Sequence, residues 1–137
     1  MRPSRIFINT GSGGGDTTAP VLSSPTGTKT GSTTADGTVS TDEGNGTLYY
    51  YASTNTTETA ATIKASGSSQ AVITTGSQAV SFTGLTASTT YYAHYVQDDS
   101  SANTSNVVSS TSFTTDAAFN VFWAMNATTV QSLQGMC

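Results

Sequence analysis

The residues able to take part in catalysis are few and widely separated in this sequence of 137 amino acids. His94 is the only histidine, and Cys137, the last residue, is the only cysteine. No serine–histidine–aspartate arrangement and no zinc-ligand spacing surrounds His94. A cysteine nucleophile also needs a positioned base, which a terminal thiol far from His94 lacks. We therefore predict no catalytic residue, no enzymatic activity and no cofactor.

Four acidic residues form the one cluster that could bind a metal: Asp42 and Glu43 in one turn, Asp98 and Asp99 in another. If the flanking strands form an antiparallel sandwich, both turns lie at the same end of it. Calcium prefers oxygen ligands of this kind. However, the spacing matches no dedicated calcium loop, and exposed acidic residues are common in turns. The sequence therefore predicts no metal ligand here.

The charge distribution argues against a nucleic-acid partner. The formal net charge is −4, and residues 16–116 contain all eight acids but only Lys29 and Lys64. Phosphate binding requires clustered cations, which this body lacks. Arg2 and Arg5 lie in the first few residues, where they could contact an acidic surface. No run of apolar residues is long enough to span a membrane or to form a signal peptide.

Alternating apolar and polar residues predict a β-protein, most clearly between Gln78 and Asp99. Leu85, a short polar turn and Tyr91 have the spacing of a tyrosine corner, in which the ring packs in the core and the hydroxyl binds nearby backbone. The segment 59–66 is expected to be a single helical turn or an irregular crossover. We predict seven short strands near residues 20–22, 33–41, 47–53, 71–73, 78–82, 91–97 and 107–114.

Six tyrosines fall on two strands that are expected to be neighbours, and alternation directs about half of them inward: Tyr49, Tyr50, Tyr51, Tyr91, Tyr92 and Tyr95. The others would form an outward aromatic strip, which could bind a sugar or another subunit. Ordinary cross-strand pairing explains the same residues. By the same alternation, His94 lies on the face opposite Tyr91 and is expected to be partly exposed.

Residues 16–116 resemble a fibronectin type III domain. The segment from Gly84 to Asp116 is similar to the second half of that family, with Leu85 and Tyr91 at its corner positions and Phe113 in its last strand. The opening from Asp16 resembles the divergent version found in bacteriophage virion and tail proteins. The usual tryptophan of the second strand is replaced by Val39 and smaller residues. The resemblance implies a seven-stranded antiparallel immunoglobulin-like sandwich.

Segments with a different composition flank this domain, and we interpret them as extended arms. Residues 1–15 contain an apolar triplet followed by a glycine-rich linker, Gly11–Gly15, that would let the triplet dock on its own domain or on a neighbour. Residues 117–137 crowd large apolar side chains together, either to fold back on the sandwich or to anchor in a partner. The predicted partner-binding residues are Arg2, Arg5, Ile6, Phe7, Ile8, Phe119, Val121, Phe122, Trp123 and Met125.

The resemblance and the arms together predict a non-enzymatic bacteriophage virion protein, a decoration or accessory subunit of head, neck or tail. Its partners would be other virion proteins and copies of itself, and it would be assembled in the host cytoplasm and exposed on the particle. The alternative is a carbohydrate- or receptor-binding adhesion module that contacts a host-surface glycan through the tyrosine strip or the acidic turns. A sandwich fold alone does not choose between these functions.

Overall fold

The architecture comes from a computed structural model that describes residues 15–119. These residues form strands joined by turns, with one short helix. In chain order the elements are β1 (Leu22–Lys29), β2 (Ala35–Thr41), β3 (Thr47–Ser53), α1 (Ala60–Ser66), β4 (Ser68–Ala71), β5 (Gly76–Phe82), β6 (Thr90–Asp98), β7 (Val108–Ser109) and β8 (Phe113–Thr114). None of the helices in this part of the chain is long and apolar enough to cross a membrane.

The strands form two antiparallel sheets. One has the order β1-β2-β5, and the other has the order β4-β3-β6-β7, with β8 also pairing with β6. The predicted all-β, antiparallel class is confirmed. Residues 15–119 contain eight strands, because the expected last strand at 107–114 is split in two. Between the two parts the hydroxyl of Ser110 accepts the hydrogen bond of the Ala93 N–H at 3.0 Å, which interrupts the backbone ladder.

The hydrophobic core lies between the sheets. β2 buries alternate residues, with Ala35 and Val39 fully inaccessible, and β5 contributes Val80 and Phe82 from the same sheet. The facing sheet contributes a second set of buried side chains, Leu48, Ala93 and Tyr95. Phe82 stands edge-on to Tyr95, with ring centroids 6.4 Å apart, so aromatic contacts join the two sheets.

The tyrosine corner is only partly as expected. The Tyr91 hydroxyl accepts a hydrogen bond from the Thr86 N–H at 3.0 Å, as the spacing predicts. Its ring is half-buried and stacks on Phe113, so the prediction that Tyr91 is buried is wrong. Tyr95 is the fully buried tyrosine, and its hydroxyl donates to the Thr26 carbonyl oxygen of the other sheet at 2.5 Å. Tyr91 lies at the end of β6, where fewer residues are available to cover it.

The segment 59–66 forms a helix, which is one of the two forms that the sequence predicted. Thr59 caps α1 by accepting a hydrogen bond from the Thr62 N–H, and the Gly67 N–H closes the last turn on the Ile63 carbonyl oxygen. Ile63 is completely buried where α1 packs on β3 and β6. The helix therefore covers part of the sheet face that points away from the core.

Candidate functional site

The predicted partner-binding residues fall almost entirely outside the described residues. Phe119 is the exception, and its side chain is 80% exposed. A large aromatic side chain with this exposure is a possible contact point for another molecule. The other nine lie outside 15–119: Arg2, Arg5, Ile6, Phe7, Ile8, Val121, Phe122, Trp123 and Met125. Their role stays a prediction.

The two terminal segments leave the sandwich at opposite ends. At the end where Leu22 pairs with Thr41, the Asn103 side-chain amide donates to the Asp16 carbonyl oxygen at 2.9 Å. At the other end, the Asp116 N–H donates to the Gly31 carbonyl oxygen at 3.1 Å. The eight residues of β1 run between these ends, a distance of about 25 Å. The segments that precede and follow the domain can therefore contact different neighbours.

The four acids predicted to gather at one end do not form one cluster. Asp42 accepts a hydrogen bond from the Val21 N–H at 2.8 Å, and Asp98 forms an ion pair with Lys64 at 2.6 Å. The other two, Glu43 and Asp99, meet Asp16, and the three carboxylates lie within 4.8 Å of one another. Asp16 was missed because it lies more than 25 residues from its partners in the sequence, before the first strand.

Hydrogen bonds within its own loop already occupy the Asp99 carboxylate. Its Oδ1 accepts from the Ser101 and Asn103 N–H groups at 2.8 Å, and its Oδ2 accepts from the Asn103 side chain at 2.7 Å. Burial alone would raise the pKa of Asp99, but these hydrogen bonds hold it below its ordinary value. At Glu43, partial burial together with the nearby Asp16 and Asp99 raises the pKa. The hydrogen bonds of Asp99 close its own loop, and the absence of a metal ligand here stays a prediction.

His94 is fully buried, so its predicted partial exposure is wrong. Its Nδ1 lies 2.7 Å from the Ser109 hydroxyl, and its Nε2 lies 3.1 Å from both the Ser53 hydroxyl and the Asn55 carbonyl oxygen. Because a carbonyl can only accept, Nε2 carries the proton and Nδ1 accepts from Ser109. Both ring nitrogens thus join separate segments of the chain, which is a structural role.

Stability should depend on pH through His94. Burial lowers the pKa of His94, although the Asn55 carbonyl and Glu58 oppose the shift. Below about pH 6.5 the unfolded chain binds a proton that the native state does not, so the free energy of unfolding should fall until the lower native pKa is reached. Denaturant titrations between pH 7.5 and 5 should show this slope in the native sequence and lose it in His94→Gln. Parallel profiles for the two proteins would contradict the assignment.

The tyrosines divide between the two faces of their sheet. Tyr50 and Tyr95 are cross-strand partners that face the core. Tyr49 and Tyr51 point to the other face, where α1 packs and the Lys64 ammonium lies 5.8 Å from the centre of the Tyr49 ring. Tyr49, Tyr51 and Tyr92 are all half-buried, so the predicted outward strip is partly covered.

A cleft of about 460 Å³ opens beside the end of β3. β4 pairs only with the first four residues of β3, Thr47–Tyr50, which leaves Tyr51–Ser53 without a strand on that side. Aromatic rings and polar side chains line the cleft, including Tyr50, Tyr51, Phe82, Tyr91, Ser53 and Asn55. Rings beside hydroxyl and amide groups can hold a sugar or an extended peptide.

No protein-family model matches the chain, and no curated protein matches it. The class of the protein therefore follows from its own structure: an all-β protein with two antiparallel sheets packed as a sandwich. Its more specific assignment is a proposal.

Proposed function

We propose that this chain is a non-enzymatic bacteriophage virion protein, a decoration or accessory subunit that displays a fibronectin type III-like sandwich. The resemblance of residues 16–116 to that family supports the proposal. So do the division into sheets β1-β2-β5 and β4-β3-β6-β7 and the hydrogen bond between Tyr91 and the Thr86 N–H. The attachment to head, neck or tail is assigned to the terminal segments.

The observation that carries the proposal is that Phe119 stays outside the core cluster of residues 15–119. The buried members of that cluster extend from Leu22 to Phe113, and the Phe119 side chain beyond them remains 80% exposed. Burial of one large apolar side chain contributes about 1.5–3 kcal/mol. An interface that buries the apolar side chains of residues 117–137 would gain a contribution of this size for each of them. Repetition over many copies would multiply that gain.

The partners in this proposal are other virion proteins and copies of the same chain. A stable domain with a polar surface suits a protein that is assembled in the host cytoplasm and then exposed on a particle. The acidic body opposes direct contact with nucleic acid, because it would repel phosphate groups. The proposed contact is therefore between proteins.

Truncation tests the proposal. The full chain and variants 16–137, 1–116 and 16–116 should be mixed with particles that lack the protein and sedimented. We expect 16–116 to fold, with a cooperative thermal transition, and to stay in the supernatant, whereas the full chain sediments with the particles. The two single truncations identify which arm contributes more.

One outcome would overturn the assignment to the arms. If 16–116 binds particles as well as the full chain, the attachment lies on the sandwich. The cleft between β3 and β5 would then be the better candidate, and with it a second function, carbohydrate or receptor binding. Its aromatic and polar lining is the observation that favours this second function.

A further inference from the structure

The four edges of the two sheets differ in how well they are protected. β1 contains Pro25, a register shift between Ser23 and Thr26, and a lysine at its end. β4 has four residues and β7 only two. Proline, bulges, charge and shortness are the usual means of preventing an edge strand from pairing with another strand. Three of the four edges therefore carry such protection.

β5 is the exception. It pairs with β2 through seven consecutive residues without a register shift, and its sequence GSQAVSF contains neither proline nor charge. Within residues 15–119, β2 is its only strand neighbour. No backbone hydrogen bond joins it to a loop of the described chain. The side of β5 that faces away from β2 therefore presents backbone donors and acceptors in a regular row.

The structure also leaves space beside this edge. The cleft near Tyr51 includes Ser81 and Phe82 in its lining. A second hollow extends from Asp36–Thr38 of β2 across Ala79 of β5 to Gln70 of β4. The residues of β5 that point away from the core, Ser77, Ala79 and Ser81, are small and exposed. The outward side chains of β5 itself would therefore not obstruct an added strand, which would lie beside Gln70 and Tyr51.

We propose that the N-terminal segment around Ile6–Ile8 of the same chain pairs with β5 as an additional antiparallel strand. The segment is β-prone and apolar, and such sequences gain backbone hydrogen bonds when they add to an open sheet edge. Arg2 and Arg5 next to it carry charge opposite to that of the acidic sandwich. Pairing would satisfy the row of backbone groups on β5.

The place where the described chain begins fits this pairing. The Asp16 carboxylate lies beside Glu43, and the neighbouring Gly44 packs against the backbone of Thr74 and Thr75, just before β5 begins. Gly11–Gly15 can span up to about 17 Å when extended, so the linker gives the segment before it a wide reach from this end of the sandwich. To pair with β5 in the antiparallel sense, the chain followed backward from residue 15 has to run from Gly76 toward Phe82.

Pairing within one chain is favoured over pairing between copies because the linker keeps the segment close to its acceptor. A short flexible linker gives an effective concentration in the millimolar range. The inference goes beyond the proposed function and narrows it, since attachment to a particle would then fall to residues 117–137. The isolated protein suffices for the test, so its outcome is independent of whether particles are bound.

Amide hydrogen exchange on the isolated full chain and on the variant 15–137 tests the inference. In the full chain all interior amides of β5 should be protected. In the variant, alternate amides of β5, those that point away from β2, should exchange at least about 10-fold faster, while those bonded to β2 keep their rates. Because the core cluster begins at Leu22, the variant should keep its cooperative unfolding transition.

A point variant distinguishes the effect of losing the apolar triplet from the effect of shortening the chain. Phe7→Asp should reproduce the faster exchange, and Arg2→Ala, which leaves the triplet intact, should not. Equal exchange of β5 in the full chain, in 15–137 and in Phe7→Asp would overturn the proposal. Protection that appears only at concentrations where light scattering detects dimers would overturn pairing within one chain and assign the edge to a second copy.

Discussion

Replacement of Gly46 by alanine is expected to destabilise the protein by about 2–5 kcal/mol. Gly46 has a φ of +93°, a conformation that costs a residue with a side chain about 1–2 kcal/mol. In addition, an alanine methyl group would collide with the Asp98 carbonyl oxygen and lie 2.6 Å from the Asp99 Cα. These are backbone atoms, which cannot move away as a side chain can. The loop 42–46 would have to separate from the end of β6.

Gly76→Ala is the matched control. Gly76 has a φ of +97°, but an added methyl group would have no atom within 4 Å. It should therefore show only the cost of the positive φ, about 1–2 kcal/mol. Equilibrium denaturation of both variants, with equal slopes against denaturant, measures the difference. Equal losses at the two positions would contradict the close approach of the 42–46 loop to Asp98.

Tyr95 should be the most sensitive of the six tyrosines. Its ring is fully buried, and removal of a large aromatic side chain from a core costs about 3–5 kcal/mol, so Tyr95→Ala should lose that amount. Tyr95→Phe keeps the ring but removes the hydrogen bond to the Thr26 carbonyl oxygen. We expect it to lose about 1–3 kcal/mol, because the buried acceptor is left unpaired.

Tyr91→Phe also removes a tyrosine hydroxyl and is the variant with which Tyr95→Phe is compared. Tyr91 also bonds to backbone, but its partner Thr86 is exposed, so water can replace the lost hydroxyl. The loss should be smaller than at Tyr95, about 0.5–1.5 kcal/mol. Thermal or denaturant unfolding of the two Phe variants decides the order. A larger loss at Tyr91 would mean that the Tyr91 hydroxyl at the corner stabilises the protein more than the Tyr95 hydroxyl, which joins the two sheets.

The all-β class and several local features follow from the order of residues alone. Alternation around Val80 and Tyr95 predicts strands because successive side chains in a strand point to opposite faces. The spacing from Leu85 to Tyr91 predicts the hydrogen bond to the turn, which involves only five intervening positions. For the segment 59–66 the sequence allows a single helical turn, and the Thr59 side chain caps that turn locally. Each of these features is short-range, so neighbouring residues suffice to specify it.

Burial depends on segments that are distant in the sequence. Alternation places His94 on the outer face correctly. Only the packing of α1 and the hydrogen bond from His94 to the Asn55 carbonyl oxygen show that this face is covered. The same limit applies to Tyr91 and Tyr95, which share one face but differ in burial because one lies at the end of the strand and the other at its centre. The periodicity of a strand predicts the face on which a side chain lies. It does not predict whether another segment of the chain covers that face.

The candidate sites depend on tertiary structure even more than the burial of single side chains does. Asp16 joins Glu43 and Asp99 across the end of the sandwich, while Asp42 and Asp98 turn to other partners. Within residues 15–119 the strand order leaves β5 at the edge of its sheet, and its position there depends on pairing with the distant strand β2. Composition determined that the apolar arms differ from the acidic body. Only the packing of the two sheets decided where the chain leaves the sandwich and which surface those arms can reach, because both depend on contacts between residues far apart in the chain.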